Sequence, residues 1–511
     1  MEKLKIIWHD QLAEYSFLKL QSLLVQYCEN LVNIFQSNML MKFQSLKRLY
    51  VYDCGSLQEV FELQRHDVRE SHVVIAIPLK RLMLQRLPKM KHVWNKDLQG
   101  IFSFQNLQKI SVWECESLKS LFPTSVARCL MQLEDLLIVN CGVEEIVSRE
   151  DVAEPAARFV FPKVTVLVLS QLPKLKWFCR GVHTSKWPLL KELMVCGCDQ
   201  IEIFASKNLN FQETVEHSQL EISIQQPLFL VEEGTLFPNL EALTLDRNYN
   251  LEEIQSDQLL EECFHKLKIL HVAAYLPGSN WITFLKRLNS LEKLFVKISR
   301  CVEIFPYEEL FDQENHATIL TQLRELELFH LPMLTHLWKE DTQSSPVLHN
   351  LENLKVSLCG KLKILVPSSV FFQNLTNLEI LKCHGLINLV TSSTAKSLLQ
   401  LKKMSVSECK RITEVVVGEG GEANEVITFT HLTYLKLDDL TNLASFFSGS
   451  YSFKFPSLEE VIVRQCPEIK TFSHGSLRTP KLEGVQATQE DEWHWKADLN
   501  TTIHWLWENN L

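Results

Sequence analysis

Apolar residues recur along this chain in one phrase: positions 0, 3, 5, 11 and 14 are apolar, and position 8 is small or apolar. Residues 46–60 give a full copy, with Leu46, Leu49, Val51, Cys54, Leu57 and Val60 in those places. A period of two puts positions 3 and 5 on one side of a short strand and positions 2, 4 and 6 on the other. Positions 11 and 14 follow a turn and predict a return segment that closes on the same core. Copies start at Leu20, Leu46, Leu79, Leu107, Leu133, Val164, Leu190 and Leu240. They resume at Leu267, Leu291, Leu323, Leu351, Leu375, Leu401, Leu432 and Leu458, with degenerate copies at Met1 and Leu482.

Most starts lie 24 to 33 residues apart, the spacing of leucine-rich repeats. One such unit cannot bury its own apolar face, so neighbours stack and share a continuous core. The expected fold is an α/β leucine-rich-repeat solenoid: a curved right-handed superhelix with a parallel sheet on its concave face, and loops and short helices on its convex face. The spacing predicts a first block of repeats over 1–206, starting mid-repeat, and a second over 237–487. The gap of 50 residues between the starts at Leu190 and Leu240 reads as an insertion loop over 207–236. A smaller insertion runs from about Glu62 to Ile77. Residues 488–511, with Trp493, Trp495, Trp505 and Trp507, read as a C-terminal cap over the last repeat, or as a partner-binding patch.

Position 8 speaks in two dialects. Nine of the 14 cysteines stand there: Cys28, Cys54, Cys115, Cys141, Cys198, Cys359, Cys383, Cys409 and Cys466. Leu87, Leu172, Leu331 and Leu440 fill it elsewhere, mostly followed by proline. A zinc site needs about four ligands converging on one point, whereas a repeated slot spreads thiols along a line. Leucine cannot coordinate or hydrogen-bond, so the slot asks first for apolar volume. The cysteines are therefore packing residues.

The remaining chemistry is sparse. No P-loop, dinucleotide fingerprint, HExxH or GxSxG motif is present, and no histidine pairs with a serine or cysteine at a useful spacing. The glycines Gly418, Gly420 and Gly421 lie between two repeats, as an inter-repeat loop. We expect no enzyme, cofactor or metal site. With formal charge −10 over 511 residues, and no Lys/Arg-rich run, the chain has no footprint for nucleic acid. Its opening residues do not read as a secretory signal and no run is long enough to insert in a membrane, so its cysteines are expected to be reduced thiols in a cytoplasmic setting.

Function is expected where the strands face away from the core. The candidate partner-binding residues are Arg48, Tyr50, Tyr52, Arg81, Met83, Lys109, Trp113, Phe295, Lys297, Glu325, Glu327 and Phe329. Large aromatics on an exposed sheet are costly unless they meet something.

Three stretches carry a resemblance. Repeats such as Leu172-Pro-Lys-Leu-Lys-Trp177, the phrase from Ile224 through Phe237-Pro-Asn-Leu-Glu241, and the closing Leu499–Glu508 segment resemble the leucine-rich-repeat region of plant intracellular nucleotide-binding immune receptors of the coiled-coil class. The resemblance implies a protein partner, either a pathogen effector or a guarded host protein. It also implies restraint of the receptor's own nucleotide-binding domain, which is not in this sequence. Met1, Leu4, Ile6 and Leu12 fall inside a repeat, so the sequence reads as part of a longer chain. The alternative is a leucine-rich-repeat substrate adaptor of a ubiquitin ligase or another scaffold.

Overall fold

Positions 3 and 5 of the phrase become the buried side of short parallel strands. A computed structural model describes residues 4–8, 16–40, 42–62, 75–94, 102–149, 157–180, 183–206, 228–231, 237–246, 264–273, 281–305, 320–337, 349–366, 371–419, 425–488 and 492–509. It divides into two units, Met1–Leu267 and Lys268–Leu511.

In the first unit the long-sheet strands are β1 (Ser22–Gln26), β2 (Arg48–Tyr52), β3 (Arg81–Gln85), β4 (Lys109–Trp113), β5 (Asp135–Val139), β6 (Val166–Ser170), β7 (Glu192–Cys196) and β8 (Ala242–Asp246). Each pairs in parallel with the next, and the register joins like positions: Leu49 lies opposite Leu82, which lies opposite Ile110. The second unit repeats this with β9 (Ile269–Ala273), β10 (Lys293–Lys297), β11 (Glu325–Phe329), β12 (Asn353–Ser357), β13 (Asn377–Leu381), β14 (Lys403–Ser407), β15 (Tyr434–Asp438), β16 (Glu460–Arg464) and β17 (Val485–Gln486). The architecture is a leucine-rich-repeat solenoid with a parallel sheet along one side.

The core is a set of columns. Leu46, Leu49, Val51, Leu57 and Val60 are all buried, as are most of their described equivalents; Leu20 and Leu23 of the first copy are half-buried and Val302 is exposed. Each fully buried aliphatic side chain contributes about 1.5–3 kcal/mol through removal from water. Two further columns escaped the sequence phrase. Three residues before many of the starts stands another large buried anchor, as in Phe43, Phe104, Phe161, Trp187, Phe237, Phe372, Phe429 and Phe455. One residue after position 14, Phe35, Phe61, Trp94 and Phe122 follow one another with ring centroids 5.6–5.7 Å apart.

The return side holds more short strand than helix. Asn33–Gln36, Glu59–Glu62 and His92–Trp94 pair in parallel, as do Ser120–Pro123, Glu145–Ser148 and Trp177–Cys179. These segments carry adjacent buried residues such as Val60-Phe61 and Ile146-Val147, β-branched or aromatic types that favour extended backbone. Single-turn helices replace loops at Thr124–Cys129 and Ser392–Ser397. Inside the region read as an insertion loop, Phe229–Val231 is a strand paired with Phe204–Ser206, and Leu228 and Phe229 are buried. The rest of 207–236 lies outside the described residues, as do Gly420 and Gly421.

At the far end β18 (Trp493–His494) runs antiparallel to β17, which ends the parallel ladder. The helix Leu499–Glu508 follows, with Asp498 accepting a hydrogen bond from the Thr501 amide at 2.7 Å as its N-cap. Leu499, Ile503 and Leu506 are buried. Asn500 ties the helix to the preceding repeat: its side-chain oxygen accepts from the Phe472 and Ser473 amides, both at 3.0 Å. A sheet edge covered in this way is not a template for another strand.

Candidate partner-binding face

The slot at position 8 is apolar packing. All nine slot cysteines are buried, and Leu87, Leu172, Leu331 and Leu440 are fully enclosed. Each slot thiol points its Sγ at the carbonyl two residues back, for example Cys54 to Tyr52 at 3.3 Å and Cys466 to Arg464 at 3.1 Å. Burial pushes the Cys54 thiol up to about 11 and Cys198 to about 12, so neither is a thiolate near neutral pH. Among the described residues, no three His, Cys, Asp or Glu side chains gather as a metal site would need.

The residue just before the slot holds a feature that composition did not reveal. Tyr27, Asp53, Arg86, Glu114, Asn140, Gln171, Ile298, His330, Leu358, Lys382, Glu408, Asp439 and Gln465 all have φ between 50° and 58°, and Gly197 has φ 63°. This left-handed region favours glycine and asparagine; for a β-branched residue such as Ile298 it is strained. The reward is a hydrogen bond to the neighbouring turn: the Asp53 amide donates to Gln85 O at 3.1 Å and the Arg86 amide to Trp113 O at 3.0 Å. Only Gly197, Asn140, Asp53 and Asp439 are residue types that hint at this conformation.

On the open face, positions 2, 4 and 6 form three rows across the strands. The first unit's row at position 4 runs Leu24, Tyr50, Met83, Ser111, Leu137, Val168, Met194 and Thr244. Most of it is apolar, and Leu24 is 52% exposed. Trp113 and Val139 continue this surface at position 6. Tyr50 and Tyr52 stack with centroids 6.4 Å apart, and the Tyr52 hydroxyl lies 2.9 Å from the Met83 sulfur. Burial and the neighbouring Tyr50 raise the Tyr52 phenol above its ordinary value. The expected residues Tyr50, Tyr52, Met83 and Trp113 thus share one half-open surface, with Arg48, Arg81 and Lys109 beside them at position 2. The sequence reading missed Leu24, Leu137, Val168 and Met194, although their places in the repeat mark them.

The second unit arranges the same rows differently. Lys293 pairs with Glu325 at 2.8 Å, Lys297 with Glu327 at 3.4 Å and Lys355 with Glu379 at 3.4 Å. Each pair joins adjacent strands. Lys403 stands 4.8 Å from the centre of the Tyr434 ring. Phe329 lies half-buried on this face, but Phe295 is only 8% exposed. His271, on the neighbouring strand, stacks on the Phe295 ring at 4.0 Å, and the Lys297 ammonium lies 5.8 Å from its centre. Phe295 is therefore filler between strands and offers little free contact area.

A stacked-repeat scaffold with a wide open sheet defines a class: the leucine-rich-repeat protein-recognition modules. The family of plant disease resistance protein RPS2-like leucine-rich repeats matches residues 1–142, 239–371 and 370–477, and the chain belongs to that family. No curated protein matches the chain. Solved structures similar to it include a plant peptide hormone receptor RGFR1 in complex with RGF2, at 14% identity over 90% of this chain and 80% of that one, TM-score 0.27. A TLR13–ssRNA13 complex matches at 13% identity over 88% and 80%, TM-score 0.30. The leucine-rich-repeat protein LIC12759 of Leptospira interrogans matches at 16% identity over 76% and 88%, TM-score 0.28. At these scores the three carry no argument about function. No helix among the described residues is long and apolar enough to cross a membrane.

Proposed function

We propose that this chain is the recognition module of a plant immune receptor. Its open sheet face senses a pathogen effector, directly or through a guarded host protein, and the repeats restrain a nucleotide-binding switch carried on the longer receptor. The site of action is the cytoplasm. The observation that carries this reading is the apolar and aromatic band on the first unit, from Leu24 through Tyr50, Tyr52, Met83 and Trp113 to Met194. A contiguous run of partly exposed apolar and aromatic side chains on one face marks an interaction site. The family membership supplies the immune context. On the second unit, Lys297, Glu325, Glu327 and Phe329 extend the proposed contact area, as a rim that sets register and specificity.

The test is a binding measurement on the full chain with a candidate effector or host partner. Tyr52→Ala and Trp113→Ala are expected to weaken binding at least tenfold while moving the melting temperature by no more than about 2 °C, because hot spots cluster on such aromatics. A drop of many degrees with unchanged binding would show the two rings to be packing residues instead.

A further inference from the structure

Strands β2, β3 and β4 place cations side by side in one row. Arg48 lies directly opposite Arg81, and Arg81 directly opposite Lys109. One position earlier Lys47 and Lys80 are also neighbours, joined by the Lys80 amide donating to Lys47 O at 2.8 Å. Lys109 reaches Asp135 on β5. Arg48, Arg81, Lys47 and Lys80 have no ionic partner among the described residues, and all four are exposed. Like charges directly opposite in a sheet are destabilising. The second unit sets Lys against Glu on adjacent strands instead: Lys293 with Glu325 in this same row, Lys355 with Glu379 in the row at position 4, and Lys297 diagonally with Glu327. An uncompensated cation row in a chain of formal charge −10 is therefore a local exception.

We infer that this row and the apolar row beside it are built for an acidic amphipathic α-helix of a partner protein, lying across β2, β3 and β4. The geometry selects the helix. Neighbouring strands are about 4.8 Å apart. Carboxylates on successive turns of a helix recur every ~5.4 Å, whereas alternate residues of an extended chain recur every ~6.7 Å. A helix laid across the strands then sets about one carboxylate on each of Arg48, Arg81 and Lys109. The helix's adjacent apolar stripe falls on Tyr50, Met83 and Tyr52, about two residues along the strands. The apolar row, with aliphatic Leu24, Met83 and Leu137 among the rings, favours a protein over a nucleic acid. Arginine presents a planar fork that matches carboxylates bidentately.

This inference rests on the recognition reading above, and its test separates the two. The probes are three fluorescein-labelled helix-forming 20-residue peptides with one shared Leu/Phe stripe and Glu, Gln or Lys on the flanking stripe, plus a 20-nucleotide oligoadenylate. Each is titrated into the full chain. The Glu peptide is expected to bind about tenfold or more tightly than the Gln peptide, with affinity falling as salt rises. Arg48→Glu/Arg81→Glu should cost it at least tenfold and hand the preference to the Lys peptide, a gain that misfolding cannot imitate. Equal binding of the Glu and Gln peptides, no effect of the double substitution, or no binding of the Glu peptide overturns the inference. So does oligoadenylate binding more tightly at the same arginines, or self-association of the chain that the double substitution abolishes. If the Gln peptide binds in a Tyr50-dependent way and the Glu peptide shows no advantage, protein recognition by this face survives and its acidic preference falls. If no peptide binds and Tyr52→Ala leaves partner binding intact, both fall.

Discussion

The two units are built from one phrase and finish it in opposite ways. Their buried columns are interchangeable: Leu49 and Val51 of β2 occupy the same places as Leu354 and Val356 of β12, all at most 1% exposed. Their open faces diverge. Between β2 and β4 the exposed rows hold tyrosine, methionine and tryptophan beside unpaired arginines. Between β10 and β13 they hold lysine–glutamate pairs that satisfy one another across strands. Exposed ion pairs contribute little, about 0–1 kcal/mol each, but they leave a face that is self-satisfied. The first unit has surface left to offer, and the second has mostly spent its charges on itself.

The comparison breaks if the cores differ. Leu49→Ala and Leu354→Ala are expected to destabilise their own units by similar amounts, about 2–5 kcal/mol, through lost burial and cavity formation. Chemical denaturation followed by hydrogen exchange on each unit measures both. A several-fold inequality would mean that the shared phrase hides two different cores.

Next in size come the charges, where the two faces should answer with opposite signs. Glu327→Lys sets a third cation beside Lys297 and Lys355 and should cost about 1 kcal/mol. Arg81→Glu inserts a carboxylate between Arg48 and Lys109 and should add a few tenths of a kcal/mol. Both effects should shrink in 0.5 M salt as screening shortens to a few ångströms. If Arg81→Glu lowers the melting temperature, the cation row is not a source of tension.

A smaller effect should come from the left-handed residue before the slot. Ile298→Gly removes the strain of a β-branched residue at φ 53°, and should gain about 0.5 kcal/mol after the entropy lost by a freer unfolded chain. Asn140→Gly, at φ 52°, should change little because asparagine tolerates this region. Equal responses of the two would show that side-chain type does not matter there.

The smallest is a pH effect, read in the second unit at His271. Burial, helped by Lys297, holds His271 below its usual 6.5. The unfolded chain then binds this proton more readily than the folded one. Stability is whole above about pH 6.5 and declines as pH falls below it. His271→Gln should flatten that decline, and a titration of stability between pH 7.5 and 5 reads it. An unchanged slope would place the acid sensitivity elsewhere.

The core was legible in sequence because its residues recur: Leu49, Val51, Cys54 and Leu57 have counterparts in nearly every turn. The anchors three residues before many of the starts were legible too, but they vary among Phe, Trp and Leu, give way to Ala76 and Thr479 elsewhere, and fall in what looks like linker. Phe295 is different. Its alternation is that of an open position, and only the neighbouring strand, with His271 opposite it, decides that the ring is covered. The unpaired state of Arg48 and Arg81 was likewise invisible until the register set like charge against like. Return strands such as Glu59–Glu62 were hard to anticipate, because three or four residues with two adjacent apolar positions fit strand, turn or helix equally well.

The left-handed joint before each slot bears on how such a chain can change. In most turns its hydrogen bond uses only backbone, although the Gly197 amide donates to Asp246 Oδ1 at 2.7 Å, and the side chains found there include tyrosine, arginine, glutamate, leucine and lysine. Successive turns are therefore coupled by a fastening that does not depend on which letters flank it. A turn duplicated, deleted or exchanged between relatives at this point arrives with its connector already compatible. Open-face residues can then be shuffled as whole cassettes while the buried columns stay continuous.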